Sequence, residues 1–131
     1  MKLDGLNGDA KKSFHIMEPK GYYILEVHTM NLYLNYEGFG DQLIVRRELN
    51  GGIQYIFRFN NNYGASVVKH SGSYGYEADL WELAVLEFNG SGIWDWDLTY
   101  DTEITDDVLG WLNDMVVYEV LSKINALEAS K

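Results

Sequence analysis

The stretch QLIVRRELNGGIQYIFRFNNNYGASVVKH, residues 42–70, decides the fold. QLIVRRE reads as a strand. Apolar residues recur at every second position through IQYIFRF, where Ile53, Tyr55, Phe57 and Phe59 fall on one side and Ile56 and Arg58 on the other. A period of two marks a strand, because successive side chains leave a pleated backbone on opposite faces. LNGG between the two runs reads as a hairpin turn in which Gly51 and Gly52 supply positive φ. The asparagines at 60–62 make a second turn, and YGASVVKH is a third strand. Tight turns keep sequential strands adjacent, so the three form an antiparallel meander.

Toward the C-terminus the meander continues. LWELAVLEF, residues 80–88, reads as a fourth strand after the glycine-bearing loop SGSYGYEAD. NGSG, residues 89–92, signals another hairpin, and IWDWDLTY, residues 93–100, reads as a fifth strand. Thr105 is then placed to open a helix, its hydroxyl capping free amides, with Asp106 and Asp107 at the positive end of the helix dipole. The helix is expected to run to Leu127. At 100° per residue, Leu109, Leu112, Val116, Val120, Ile124 and Leu127 make its core stripe. Val108, Trp111, Met115 and Tyr118 make a second stripe, to be covered by another element or by a partner.

Toward the N-terminus the pattern weakens. Residues 1–20 read as a frayed terminus or short helix, and Pro19 and Gly21 punctuate the chain. Residues 22–37 carry both periods: Ile24, Val27 and Leu34 fit a helix, while Leu32, Leu34 and Tyr36 alternate as in a strand. A helix is the expectation, because it would cover a sheet that otherwise has only one. The fold class is therefore α+β in a single domain of residues 1–131. An antiparallel meander of about five strands packs against a long C-terminal helix, with a second helix near the N-terminus.

Composition bounds the function. The chain has 131 residues, no cysteine and a net charge of −10. That length supports one core without disulfides or structural metals. Without cysteine there is no thiolate metal site and no disulfide framework. No apolar run reaches the roughly 18 residues of a membrane span, and MKLDGLNGDAKKS at the start is no secretory signal. The charge is unevenly placed. Residues 1–69 hold eight basic and seven acidic side chains, whereas residues 70–131 hold two and thirteen. From His70 to Ser122 there is no lysine or arginine, yet this stretch contains all four tryptophans. Such a surface repels nucleic acid and anionic membranes and favours a positive partner. Arg46, Arg47, Arg58 and Lys69 are the only concentrated basic residues, and on strands they are expected to face solvent.

Candidate chemistry is sparse. Asp95, Asp97, Thr99, Asp101 and Glu103 alternate, which on a strand would set them on one face with Trp94, Trp96, Leu98 and Tyr100 on the other. The acidic spacing approaches that of a calcium loop, but Tyr100 stands where the turn glycine is needed and Asp106 where the bidentate glutamate is needed. A solvated strand face is the expectation, with no metal. His15, His28 and His70 lie too far apart in sequence to make a zinc site without further ligands. Ser66 and His70 share a strand face but stand about 13 Å apart, too far for a nucleophile and its base, even with Asp79 nearby. Gly64 is not part of a phosphate loop, since the lysine of that motif is missing. No catalytic residue, cofactor or metal ligand is expected.

The pieces YGASVVKH (63–70), SYG (73–75), LWELAVL (80–86) and YDTEITDDVLGWL (100–112) together resemble a family of small proteins encoded by tailed bacteriophages and prophages. The resemblance spans the C-terminal half to two-thirds of the chain. It implies a viral protein of the host cytoplasm and brings no catalytic mechanism with it. Three functions are weighed. The leading one is a non-enzymatic accessory protein that binds a basic protein surface through Trp94, Asp95, Trp96, Asp97, Asp101 and Glu103, as an acidic inhibitor of a host defence protein of the anti-restriction or anti-CRISPR type would. The second is a small assembly protein that forms a homodimer through Val108, Trp111, Met115 and Tyr118. The third is a metal-dependent enzyme built on the acidic cluster, disfavoured because it offers a nucleic-acid substrate no basic surface.

Overall fold

The computed structural model describes residues 11–18, 21–28 and 30–130, with side chains from residue 30 onward. The chain divides into two compact units, residues 1–34 and 35–131. In the first unit, strand β1 (Lys11–Glu18) pairs antiparallel with β2 (Gly21–His28), in a register running from Lys11 opposite His28 to Glu18 opposite Gly21. This corrects the helix expected over 22–37: residues 21–28 are a strand, and 31–36 carry no regular structure. Two tyrosines, Ile24 and Val27 favour an extended backbone over a helix, and all eight residues of β2 find ladder partners in β1. Any helix within residues 1–10 lies outside the described residues.

The second unit is the expected α+β meander. Its strands are β3 (Leu43–Leu49), β4 (Gly52–Arg58), β5 (Tyr63–Lys69), β6 (Trp81–Phe88), β7 (Trp96–Leu98) and β8 (Leu109–Leu112), followed by helix α1 (Asp114–Asn125). The sheet order is β3-β4-β5-β6-β7, all antiparallel, with β8 also on β6. The single free edge of β6 is thus shared, its last residues pairing with β7 and its first with β8. The β3–β4 turn holds positive φ at Asn50 (48°) and Gly51 (76°), the pair that suits the twist of a two-residue hairpin. Gly52 is needed for a different reason: a Cβ there would lie 1.9 Å from the carbonyl oxygen of Lys69 on the return strand β5.

Both sheet faces are buried around β4. On one face lie Tyr55, Phe57, Ala65, Val67, Trp81, Leu83 and Val85, covered by Val117, Leu121 and Ile124 of α1 and by the rings of Tyr36 and Phe39. On the other, Ile56, Leu86 and Phe88 form a second cluster with Ile44, Val45 and Trp96. Arg47 of β3 stacks 4.7 Å over the ring of Trp94, just before β7. Side chains from the two ends of the strand order can meet only if the sheet curls around this second face.

Two expectations about 93–127 are corrected. Only residues 96–98 form the fifth strand, and the helix begins at Asp114, not Thr105. Residues 109–112 are extended against β6, with Gly110 and the left-handed Trp111 (φ 61°) breaking any helical run. Asn113 is the N-cap, its Oδ1 accepting from the amide of Val116 at 2.9 Å. Asp106 and Asp107 therefore play no part at the helix dipole. The buried helix stripe is Val117, Val120, Leu121 and Ile124, so Leu109 and Leu112 belong to the sheet.

Candidate interaction surface

Why residues 99–108 are neither strand nor helix follows from their side chains. The hydroxyls of Thr99, Thr102 and Thr105 each accept from the amide two residues ahead, at 3.4, 3.2 and 3.1 Å. Asp107 Oδ1 then takes the amide of Val108 at 2.7 Å. Such local bonds satisfy backbone donors that a ladder or helix would otherwise need. The segment is thereby shaped by its own side chains, while Tyr100, Asp101, Glu103, Asp106 and Asp107 stay exposed.

The expected alternation of tryptophans and carboxylates does not survive this geometry. Trp96 turns inward on the Ile56–Leu86–Phe88 cluster, and its indole N–H is buried with no acceptor. Trp94, on the turn before β7, is 48% exposed beneath Arg47. Asp95 closes the hairpin: its Oδ2 accepts from Gly92 N at 2.9 Å. Asp97 Oδ2 accepts from the side-chain Nδ2 of Asn89 at 3.0 Å. Thr99, expected outside, is buried, while Leu98 and Tyr100 are exposed. Of the six residues assigned to partner binding, Asp101 and Glu103 are exposed on the turn chain and Trp94 on the hairpin. Asp95 and Asp97 are exposed but also hold that hairpin, and Trp96 belongs to the core.

Of the second set, Trp111, Met115 and Tyr118 are exposed and Val108 is half-buried. Trp111 stands on β8 next to the 71–77 loop, its amide donating to Tyr74 O at 3.3 Å. Met115 and Tyr118 lie three apart on α1, and the Tyr118 ring packs edge-on against Phe39 at 5.2 Å.

Among the basic residues expected to face solvent, Arg47 does so and Lys69 does not. Lys69 is only 2% exposed; its Nζ lies 2.8 Å from Asp79 Oδ1 and 4.2 Å from the centre of the Trp81 ring. The signal was in the sequence, since Lys69 shares a strand face with Ala65 and Val67. Trp81 Nε1 in turn donates to Asp114 Oδ1 at 2.7 Å, tying β6 to the first turn of α1. Arg47 donates to Gln54, and Gln54 to Ser66, in a side-chain chain across β3, β4 and β5. Arg58 donates to Gly90 O and stacks on Phe88. Of these four basic residues, Lys69 is buried, Arg46 and Arg58 are half-buried and Arg47 is exposed.

The groups weighed as a nucleophilic site are engaged separately: Ser66 with Gln54, Asp79 with Lys69, and the His70 ring with the Ser71 carbonyl. Among the described residues no three histidine, aspartate or glutamate side chains converge as a metal site, and no helix is long and apolar enough to cross a membrane. The chain matches no protein-family model, no curated protein and no solved structure.

Proposed function

We propose that this protein acts by binding another protein through residues 93–107, and that the partner surface is basic. The observation that carries the reading is the joint exposure of Trp94, Leu98 and Tyr100 with Asp95, Asp97, Asp101, Glu103 and Asp106 on one short segment. Aromatic and apolar anchors beside a charged rim are the anatomy of an interface hot spot. Residues 70–122 contain no lysine or arginine, so the segment's own side chains carry only negative charge, with Arg47 stacked over Trp94 at its start. Following the resemblance to tailed-phage proteins, the partner is a host protein whose basic channel normally receives nucleic acid. The carboxylates then stand where phosphates would, which is how an inhibitor of restriction or CRISPR defence would work in the host cytoplasm.

Recovery of bound proteins from the bacterial host, followed by affinity measurement against the purified partner, tests this. Affinity should fall as salt rises, and Asp101→Asn with Glu103→Gln should flatten that dependence. A partner whose affinity ignores both salt and these substitutions would refute the reading. A second reading rests on the exposure of Trp111, Met115 and Tyr118, which would suit self-association. A mass in solution that stays monomeric at high concentration would remove it.

A further inference from the structure

We propose that the cleft between the 71–77 loop and Trp111 binds an organic cation, the ammonium or guanidinium of a basic side chain presented by a partner protein. The cleft measures about 300 Å³ and is lined by Tyr74, Tyr76 and Trp111 together with Glu77, Ser71 and Ser73. Three aromatic residues thus line the cleft, and the face of an aromatic ring attracts a cation, that of tryptophan most strongly. Glu77, exposed at the cleft, adds a formal negative charge. Glu82 stands close by, its Oε1 accepting from Tyr74 N at 3.0 Å. No lysine or arginine lines the cleft, and none occurs in sequence between Lys69 and Lys123.

The cleft is also built. Ser73 Oγ donates to His70 O and accepts from His70 N, closing the loop on itself. Gly75 sits at φ +93°, and a Cβ there would fall 2.9 Å from Trp111 Cα, so the loop and β8 are in close apposition. Trp111 is held left-handed, at φ 61°, while 62% of it stays exposed. A bulky residue in that conformation costs free energy. So much exposed surface leaves the burial of Trp111 little to offset that cost, whereas a ligand stacked on the ring would offset it. The charge decides between ligands. An apolar ligand makes no use of Glu77, and a second copy of this chain would bring Glu77 toward another acidic surface. A cation uses both the rings and the carboxylate. Its presentation on a partner protein accords with the openness of the cleft and with its place on the acidic half of the chain.

The test is titration of the full chain with N-acetyl-lysine methylamide, N-acetyl-arginine methylamide, choline and its uncharged isostere 3,3-dimethylbutanol, read from the assigned indole N–H signal of Trp111. One of the two amino-acid amides should shift that signal, binding about tenfold more tightly than the isostere. Trp111→Ala should weaken it about tenfold and Trp111→Phe by less, with thermal unfolding confirming that each variant folds. Glu77→Gln, at an exposed position, should weaken it at low salt and make little difference at high salt. Equal binding of the isostere would overturn the assignment in favour of a plain apolar cleft. Choline binding more tightly than both amides would overturn the side-chain source. No shift at Trp111 with any probe would overturn the site. None of these variants touches residues 93–107, so the two proposals stand or fall separately.

Discussion

Strand β4 and the segment from Ile93 to Tyr100 both repeat apolar residues at every second position, yet only the first is a strand along its whole length. In the meander the ladder meets the needs of the backbone, leaving side chains to sort by face. Between 99 and 108 three threonines and an aspartate meet those needs locally, so alternation carries no information about faces. The difference teaches where the two regions spend their side chains. Those of β4–β6 hold the core together, whereas in 93–107 Trp94, Leu98, Tyr100, Asp101 and Glu103 are left exposed.

The sharpest way to break the comparison is at the core. Trp81 is 1% exposed, packs edge-on against Tyr55 at 5.8 Å, and carries the Lys69 ammonium over its ring. Trp81→Ala should cost about 3–5 kcal/mol in denaturant unfolding, the range for large aromatic truncations. A cost near that of a surface change would mean this face is not the core.

Next is Asn61, in the turn before β5. Its amide donates to the carbonyls of Ile124, Asn125 and Leu127, at 2.8, 3.4 and 3.1 Å, and its Oδ1 accepts from Tyr63 N. One side chain thus caps the C-terminus of α1 and shapes the β4–β5 turn. Asn61→Ala should cost about 2 kcal/mol. Asn61→Asp should cost more, since it loses the donors and sets a negative charge at the negative end of the helix dipole. The sequence showed three asparagines and hence a turn. That the middle one reaches a helix over sixty residues later depends on tertiary packing, which no local pattern records.

The two inward tryptophans compare the regions directly. Trp81 Nε1 has Asp114, whereas Trp96 Nε1 is buried with no acceptor. Trp81→Phe should therefore cost about 1–3 kcal/mol, because it strands a carboxylate hydrogen bond. Trp96→Phe removes an unpaired donor and should cost clearly less. Equal costs in unfolding would show that the indole of Trp96 has found a partner.

The helix start separates the regions again, by a smaller margin. Asn113→Ala removes an N-cap and should cost about 1 kcal/mol. Thr105→Ala removes a single turn bond and should cost about 0.5 kcal/mol or less in the same unfolding measurement. The reverse order would restore the helix start that Thr105, Asp106 and Asp107 advertise in sequence. That signal misled because the capping pattern was read without Gly110, which interrupts the stretch, and without the free end of β6, which captures Leu109 and Leu112. The meander was legible because each strand's pattern agrees with its turns. The exposed site was legible in composition but not in arrangement: Asp101 and Glu103 stand as expected, whereas Trp96 was drawn inward by the apolar side chains of Ile56, Leu86 and Phe88.

The smallest expected effect on stability is the most telling for function. Asp101 and Glu103 are exposed, and their side chains contribute no hydrogen bond to the turns around them. Asp101→Asn with Glu103→Gln should change unfolding free energy by no more than about 0.5 kcal/mol. Relief of repulsion among Asp97, Asp101, Glu103, Asp106 and Asp107 should make the sign favourable at low salt and near zero at high salt. A pair of carboxylates that costs the fold a little while serving none of its bonds is what a surface kept for a partner looks like. Clear destabilisation by this double substitution would instead assign the acidic segment a structural role and remove the physical ground for placing an interface there.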